Sequence, residues 1–249
     1  MSGHSKWASI KHKKAIVDQR RGQHFTKLAR AVTVAAREGG GDPVGNASLA
    51  LAIQKARDAS MPKDNIERAI QKGTGEGADA ESFDRVVYEG YAPGGVAMLI
   101  EALTDNRNRT AADVRHIFGK HGGNLGEPGS VAYLFEKQGV ITVDAASYDE
   151  DDLMIAIDAG ALDIVADDDI FEIVTEPTEL TAVRDALVEA GIAVDTVELT
   201  QRPKTRVPVS EEDAIKLMKL IDALDDNDDV SEVHANFDVD ADLLERLAG

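Results

Sequence analysis

Lys6, Trp7, Lys11, His12, Lys13 and Lys14 place four ammonium groups, one imidazole and the chain's single indole within nine residues, and Arg20 and Arg21 follow closely. Ammonium and guanidinium groups neutralise phosphates, while an indole among them can stack on a base or a ribose. This is nucleic-acid-binding chemistry. The competing reading is a solvated tail that aids solubility. Two features weigh against it. The chain is already far from neutral at −19, and residues 1–14 hold too few apolar side chains to give Trp7 a core to enter.

Nine of the 27 Lys and Arg residues lie in the first 37 positions, against one acid, Asp18, so this end carries +8 and the other 212 residues carry −27. A polyanion should be repelled by most of the chain and attracted to this end. Lys27 and Arg30 continue the basic run along a predicted helix. A second basic island follows in Thr104-Asp105-Asn106-Arg107-Asn108-Arg109-Thr110, between a strand and a helix, with Arg115, His116, Lys120 and His121 beyond it. Arg107 and Arg109 are candidate phosphate contacts there. The plainer alternative pairs them with Asp105 and Asp113.

Other motifs fail on inspection. Gly119-Lys120-His121-Gly122 has the letters of a KH loop but leads to a strand rather than a second helix. Asp225–Asp229 begins like a calcium loop, yet Val230 stands at the sixth position and Asn236 at the twelfth, where Gly and Glu are needed. His4, His12 and His24 share no fixed geometry for a metal. Asp167-Asp168-Asp169 reads as a tight acidic turn. No nucleophile elbow, phosphate loop or dinucleotide fingerprint occurs. The expectation is no enzyme, no metal, no cofactor and no small-molecule substrate.

The elements that must position these residues follow from periodicity. Phe25, Leu28, Ala29, Val32, Ala35 and Ala36 form an apolar stripe on a helix from about 18 to 38, with Lys27, Arg30 and Arg37 together off that stripe. Helices over 47–59 and from Pro62 to Gly73 complete a three-helix bundle. After a Gly-rich linker at 73–82, strands are predicted at 85–91 and 96–103, and a helix capped by Thr110 runs to about 120. Strands at 131–135 and 140–143, a helix at 153–159, strands at 164–166 and 170–175, a helix at 180–190 and a strand at 194–199 give a βαββαβ, ferredoxin-like order. Ser210 caps a last long helix, and a strand at 230–236 can return to the sheet of 85–120.

The 249 residues are enough for two or three domains. Cysteine is absent, which removes disulfides and thiolate metal sites and fits a reducing compartment. No apolar run approaches the ~20 residues of a membrane span, and no apolar stretch follows the basic start as in a secretory signal. A cytoplasmic protein without a membrane partner is expected.

MSGHSKWASIKHKK at 1–14, MPKDNIERAIQKG at 61–73 and YEGYAPGGVAMLIEALTDNRNRTAADVRHIFGKHGGNLGEPGSVAYLF at 88–135 resemble the YebC family, whose mitochondrial relative activates translation of cytochrome c oxidase subunit I. The resemblance implies an α+β multidomain protein. Residues 1–75 would form the basic helical domain, 83–133 with 204–240 a discontinuous middle domain, and 134–203 an inserted ferredoxin-like domain. It also implies that Lys6, Trp7, Lys11, His12, Lys13 and Lys14 contact nucleic acid, with Arg107 and Arg109 as a second contact. Asp149–Asp152 and Asp225–Asp229 confine that contact to the first two domains. Two functions follow: a ribosome-associated translation factor touching RNA, or a DNA-binding transcriptional regulator acting at promoters. The short third helix, with Glu67 beside Arg68, offers few residues that read base edges, which favours the first on physical grounds.

Overall fold

The computed structural model describes residues 18–75, 83–167 and 169–248. These form two compact units: 133–205, and the remainder of the described chain.

The larger unit begins with three helices, α1 (Asp18–Gly39), α2 (Ala47–Asp58) and α3 (Lys63–Thr74). Asn46 holds the first corner. Its Oδ1 accepts the Leu49 N–H and starts α2, while its Nδ2 donates to the Ala35 and Gly40 carbonyls at the end of α1. Val32, Leu49, Ile53, Met61 and Ile66 are buried between the helices. Gly73 permits the close approach of α3 to α1, since a Cβ there would lie 2.3 Å from the Thr33 carbonyl oxygen.

The same unit continues with an antiparallel sheet in the order β3-β1-β2-β9, from β1 (Asp84–Ala92), β2 (Val96–Thr104), β3 (Asn124–Leu125) and β9 (Val230–Ala235). Helices α4 (Arg107–Lys120) and α7 (Glu211–Asp225) bury Phe118, Leu217 and Leu220 against Met98, Ile100 and Val233. On another side Leu103 and Phe83 pack on Val34 of α1. Strand β2 is therefore apolar nearly throughout, because it meets neighbours on both faces. A short ladder pairs β8 (Val207–Pro208) with β10 (Phe237–Asp238), and α8 (Ala241–Ala248) closes the chain.

The smaller unit contains β4 (Phe135–Asp144), α5 (Met154–Asp158), β5 (Ala161–Asp167), β6 (Ile170–Thr175), α6 (Leu180–Glu189) and β7 (Thr196–Pro203). Its strands are all antiparallel in the order β5-β6-β4-β7, which is the ferredoxin-like arrangement. Leu153, Ile141, Ile173, Val183 and Leu187 form its interior. The two strands expected at 131–135 and 140–143 are one strand, β4, and 132–134 is a 3-10 turn. Gly139 lies within that strand, where a side chain would meet the Thr175 hydroxyl at 2.3 Å. Residues 133–205 hold 18 acids and 4 bases, so this unit carries much of the chain's negative charge.

Candidate nucleic-acid interface

Lys6, Trp7, Lys11, His12, Lys13 and Lys14 lie outside the described residues. Arg20 and Arg21 fall in the first turn of α1, with side chains also outside the described set. Lys27 and Arg30 sit one turn apart on α1, and Arg107 and Arg109 occupy the first turn of α4.

The structure brings Lys27, Arg30 and Arg109 to the acidic turn between α7 and β9. Lys27 donates to the Asp225 carbonyl. Arg30 donates to the Asp228 carbonyl at 2.7 Å and to Asp229 Oδ1 at 2.9 Å, with its guanidinium 5.0 Å above the Phe83 ring. Arg109 reaches Asp105 at 2.7 Å and Asp229 Oδ2 at 2.8 Å. The Asp229 oxygens also accept from Thr110 at 2.7 Å and Thr104 at 3.3 Å. Burial pushes the Asp229 carboxyl up, but the bonds from Arg109, Thr110 and Arg30 outweigh it and hold the group below the usual carboxylate range. Burial lowers Lys27, against the opposing pull of Asp225, Asp228 and Asp226.

Asn106, not Thr110, caps α4: its side-chain oxygen accepts the Arg109 N–H at 3.1 Å. The helix therefore starts early enough to include both arginines. Two cations in a first helical turn oppose the helix dipole, and Asp84, Asp105 and Asp229 offset them. Thr110 instead turns its hydroxyl inward to Asp229 and to the Asn106 carbonyl. Arg107 pairs with Asp84 at 2.9 Å on the surface, its side chain 64% exposed. It is thus the more accessible arginine of the loop. A surface pair of this kind is worth little and opens readily to another anion.

Farther along α4, Arg115, His116 and Lys120 are exposed. Burial lowers the His121 imidazole, and the nearby charges of Lys120 and Lys219 lower it further. Lys219, from α7, thus joins the island that begins on α4, a juxtaposition that sequence distance hides. Asp229 is the other residue that the sequence reading missed. The signal available was opposite sign: a four-aspartate turn against the basic face of α1.

Glu101, Glu232 and His234 also come together, with His234 Nε2 3.6 Å from a carboxylate oxygen of each glutamate. Arg85 pairs with Glu101 and Lys55 with Glu232, so the cluster is part of an ion-pair network.

Residues 5–76 match the family model described as the TACO1/YebC protein N-terminal domain, and 83–237 match the TACO1/YebC second and third domain. The chain belongs to the TACO1/YebC family. A probable transcriptional regulatory protein of Rubrobacter xylanophilus is 55% identical over 250 residues, with both chains covered completely. One from Persephonella marina, bearing the same description, is 55% identical over 251 residues, again with full coverage of both. The crystal structure of a conserved hypothetical protein, Aq1575, from Aquifex aeolicus is similar at a TM-score of 0.82 and 48% identity, covering 91% of this chain and 94% of that one. The TACO1/YebC assignment agrees with the α+β multidomain fold. Among the described residues of this family member, no helix is long and apolar enough to cross a membrane.

Proposed function

We propose that the protein is a non-enzymatic, nucleic-acid-binding regulator of gene expression that docks through its basic N-terminal domain. The observation that carries this is the charge reversal, +8 over the first 37 residues of a chain with net −19. Lys6, Trp7, Lys11, His12, Lys13, Lys14, Arg20 and Arg21 make the first contact. Lys27 and Arg30 add to the local field while bonded to the acidic turn. Arg107, with Arg115, Lys120 and Lys219, makes a second contact on the middle domain.

Action on DNA as a transcriptional regulator has two supports. One is the description shared by the curated relatives. The other is the α2–α3 connection, a four-residue turn with Ser60 at φ 62°, followed by a helix carrying Arg68, Gln71 and Lys72 outward. The second reading, a ribosome-associated factor contacting RNA, is favoured by the same helix. Lys63 pairs with Glu67, and Arg68 donates to Asn65 and to the Asp64 carbonyl, which occupies groups that would read base edges. Co-sedimentation with ribosomes, scored against retention on promoter DNA at matched salt, separates the two. Retention on DNA alone supports the regulator, and sedimentation alone supports the translation factor. Loss of both would overturn the proposal.

A further inference from the structure

A groove of about 480 Å³ runs beside the α1–α3 contact, within the range of small-ligand sites. Its apolar floor includes Met61, Ala69 and Phe83, all buried, and Phe25 and Ala29 line it from α1. Asn65, Arg68 and Lys72 line it from α3 at spacings of three and four residues, which places them on one helical face. Arg30 and Asp105 also line it. Arg30 is held by Asp229 and Asp105 by Arg109, so the exposed cations of the groove are Arg68 and Lys72.

We infer that this groove is a binding site for one unpaired nucleotide of a single strand. The base lies against Phe25 and the Met61 side of the floor, and the flanking phosphates meet Arg68 and Lys72. An aromatic ring and an apolar floor accept the face of any base. Arg68 donates to Asn65 Oδ1 at 2.6 Å, which fixes the Asn65 amide and leaves its nitrogen as a donor for a base edge. Arg68 and Lys72 are exposed, so they can reach phosphates without leaving a core. A duplex hides its base faces and cannot fill such a groove, so the site distinguishes strand state, whatever the sugar. The inference rests on the nucleic-acid reading above.

The test uses the full-length protein and a twelve-nucleotide single strand with 2-aminopurine at its centre, as RNA and as DNA, each also annealed to its complement. Binding of a single strand should change the 2-aminopurine emission, and the duplex should leave it unchanged. Arg68→Gln with Lys72→Gln should weaken single-strand binding roughly tenfold and flatten the salt slope by about 1.4. Thr26→Trp, at an exposed α1 position on the groove wall, should block the emission change while the thermal melt stays at the wild-type value. The relative size of the RNA and DNA signals identifies the strand. Wild-type binding that neither variant alters would overturn the groove site and leave the nucleic-acid reading standing. Equal competition by adenosine monophosphate at the same base concentration would overturn the strand assignment in favour of a free nucleotide. Failure of the wild-type protein to bind any of the four probes would remove the nucleic-acid reading itself, and the site with it.

Discussion

Arg30 Nη1 and Asp229 Oδ1 lie 2.9 Å apart, joining the middle of α1 to the residue just before β9 across 199 positions of sequence. The same carboxylate also binds Arg109 and Thr110 at the start of α4. One aspartate therefore links the helical bundle, the second basic island and the last strand of the middle sheet.

Asp229→Ala should destabilise the protein by roughly 2–4 kcal/mol, because it removes the carboxylate that Arg30, Arg109 and Thr110 share and leaves Arg30 with only the Asp228 carbonyl and Thr110 with neutral acceptors. Chemical denaturation of the larger unit measures this. A loss under about 0.5 kcal/mol would mean that solvent replaces the carboxylate at no cost.

The acid limb of stability should trace to the same group. The folded carboxyl titrates below its unfolded value, so its contribution is fully present above the unfolded carboxylate pKa of about 4 and is lost as pH falls through the depressed folded value. Thermal melts of the wild type should therefore drop below about pH 4, and Asp229→Asn should show a shallower drop. Parallel curves for the two proteins would contradict this assignment.

Glu89 offers an independent test. Its carboxylate accepts the Gly129, Val131 and Ala132 N–H groups at 2.6, 2.7 and 2.8 Å. Burial raises its pKa, and the three N–H bonds more than reverse that. Glu89→Ala should cost about 3 kcal/mol or more by leaving those donors unmet, and Glu89→Gln distinctly less. Hydrogen exchange at 129–132 should quicken in both variants, most in the alanine.

Replacing Lys11, Lys13 and Lys14 with Gln should weaken nucleic-acid binding and flatten the slope of log K against log salt by roughly 2 if all three touch phosphate. Titrations at several salt concentrations give the slope directly. No change would identify the stretch as a solubility tail.

Exchanging residues 134–203 for a short Gly/Ser linker should leave the rest of the chain folded, since the unit at 133–205 has its own interior and pairs Phe135 with Pro203 at its two ends. Circular dichroism and a single cooperative melt report this. A molten product would show that the two units fold as one.

Local signals carried well from sequence to structure. The stripe from Phe25 to Ala36 became the buried face of α1, and Ser210 caps α7 by accepting the Asp213 N–H. The βαββαβ order of the smaller unit was also legible, because its helices and strands differ in period. Failures arose where a local rule met a tertiary demand. Thr110 has the chemistry of a cap, yet Asp229 draws its hydroxyl inward and Asn106 caps instead. The strands expected at 131–135 and 140–143 are one strand, β4, whose Gly139 allows close packing against Thr175. At the candidate site, Lys27, Arg30 and Arg37 do share a face off the apolar stripe. Their meeting with residues 225–229 and 83 had no local signal, because those partners are dozens to hundreds of positions away. The groove between α1 and α3 was hidden for the same reason.

Because the smaller unit is entered and left by neighbouring strands, with Phe135 opposite Pro203, a single cut by a protease anywhere inside it cannot shed it. Each half of the nicked chain stays anchored in the larger unit at one end and knitted through the β4–β7 ladder at the other. Limited digestion should then show two bands under denaturing conditions and one species of undiminished mass under native ones. Release needs two cleavages, one on each side of the 133–205 unit.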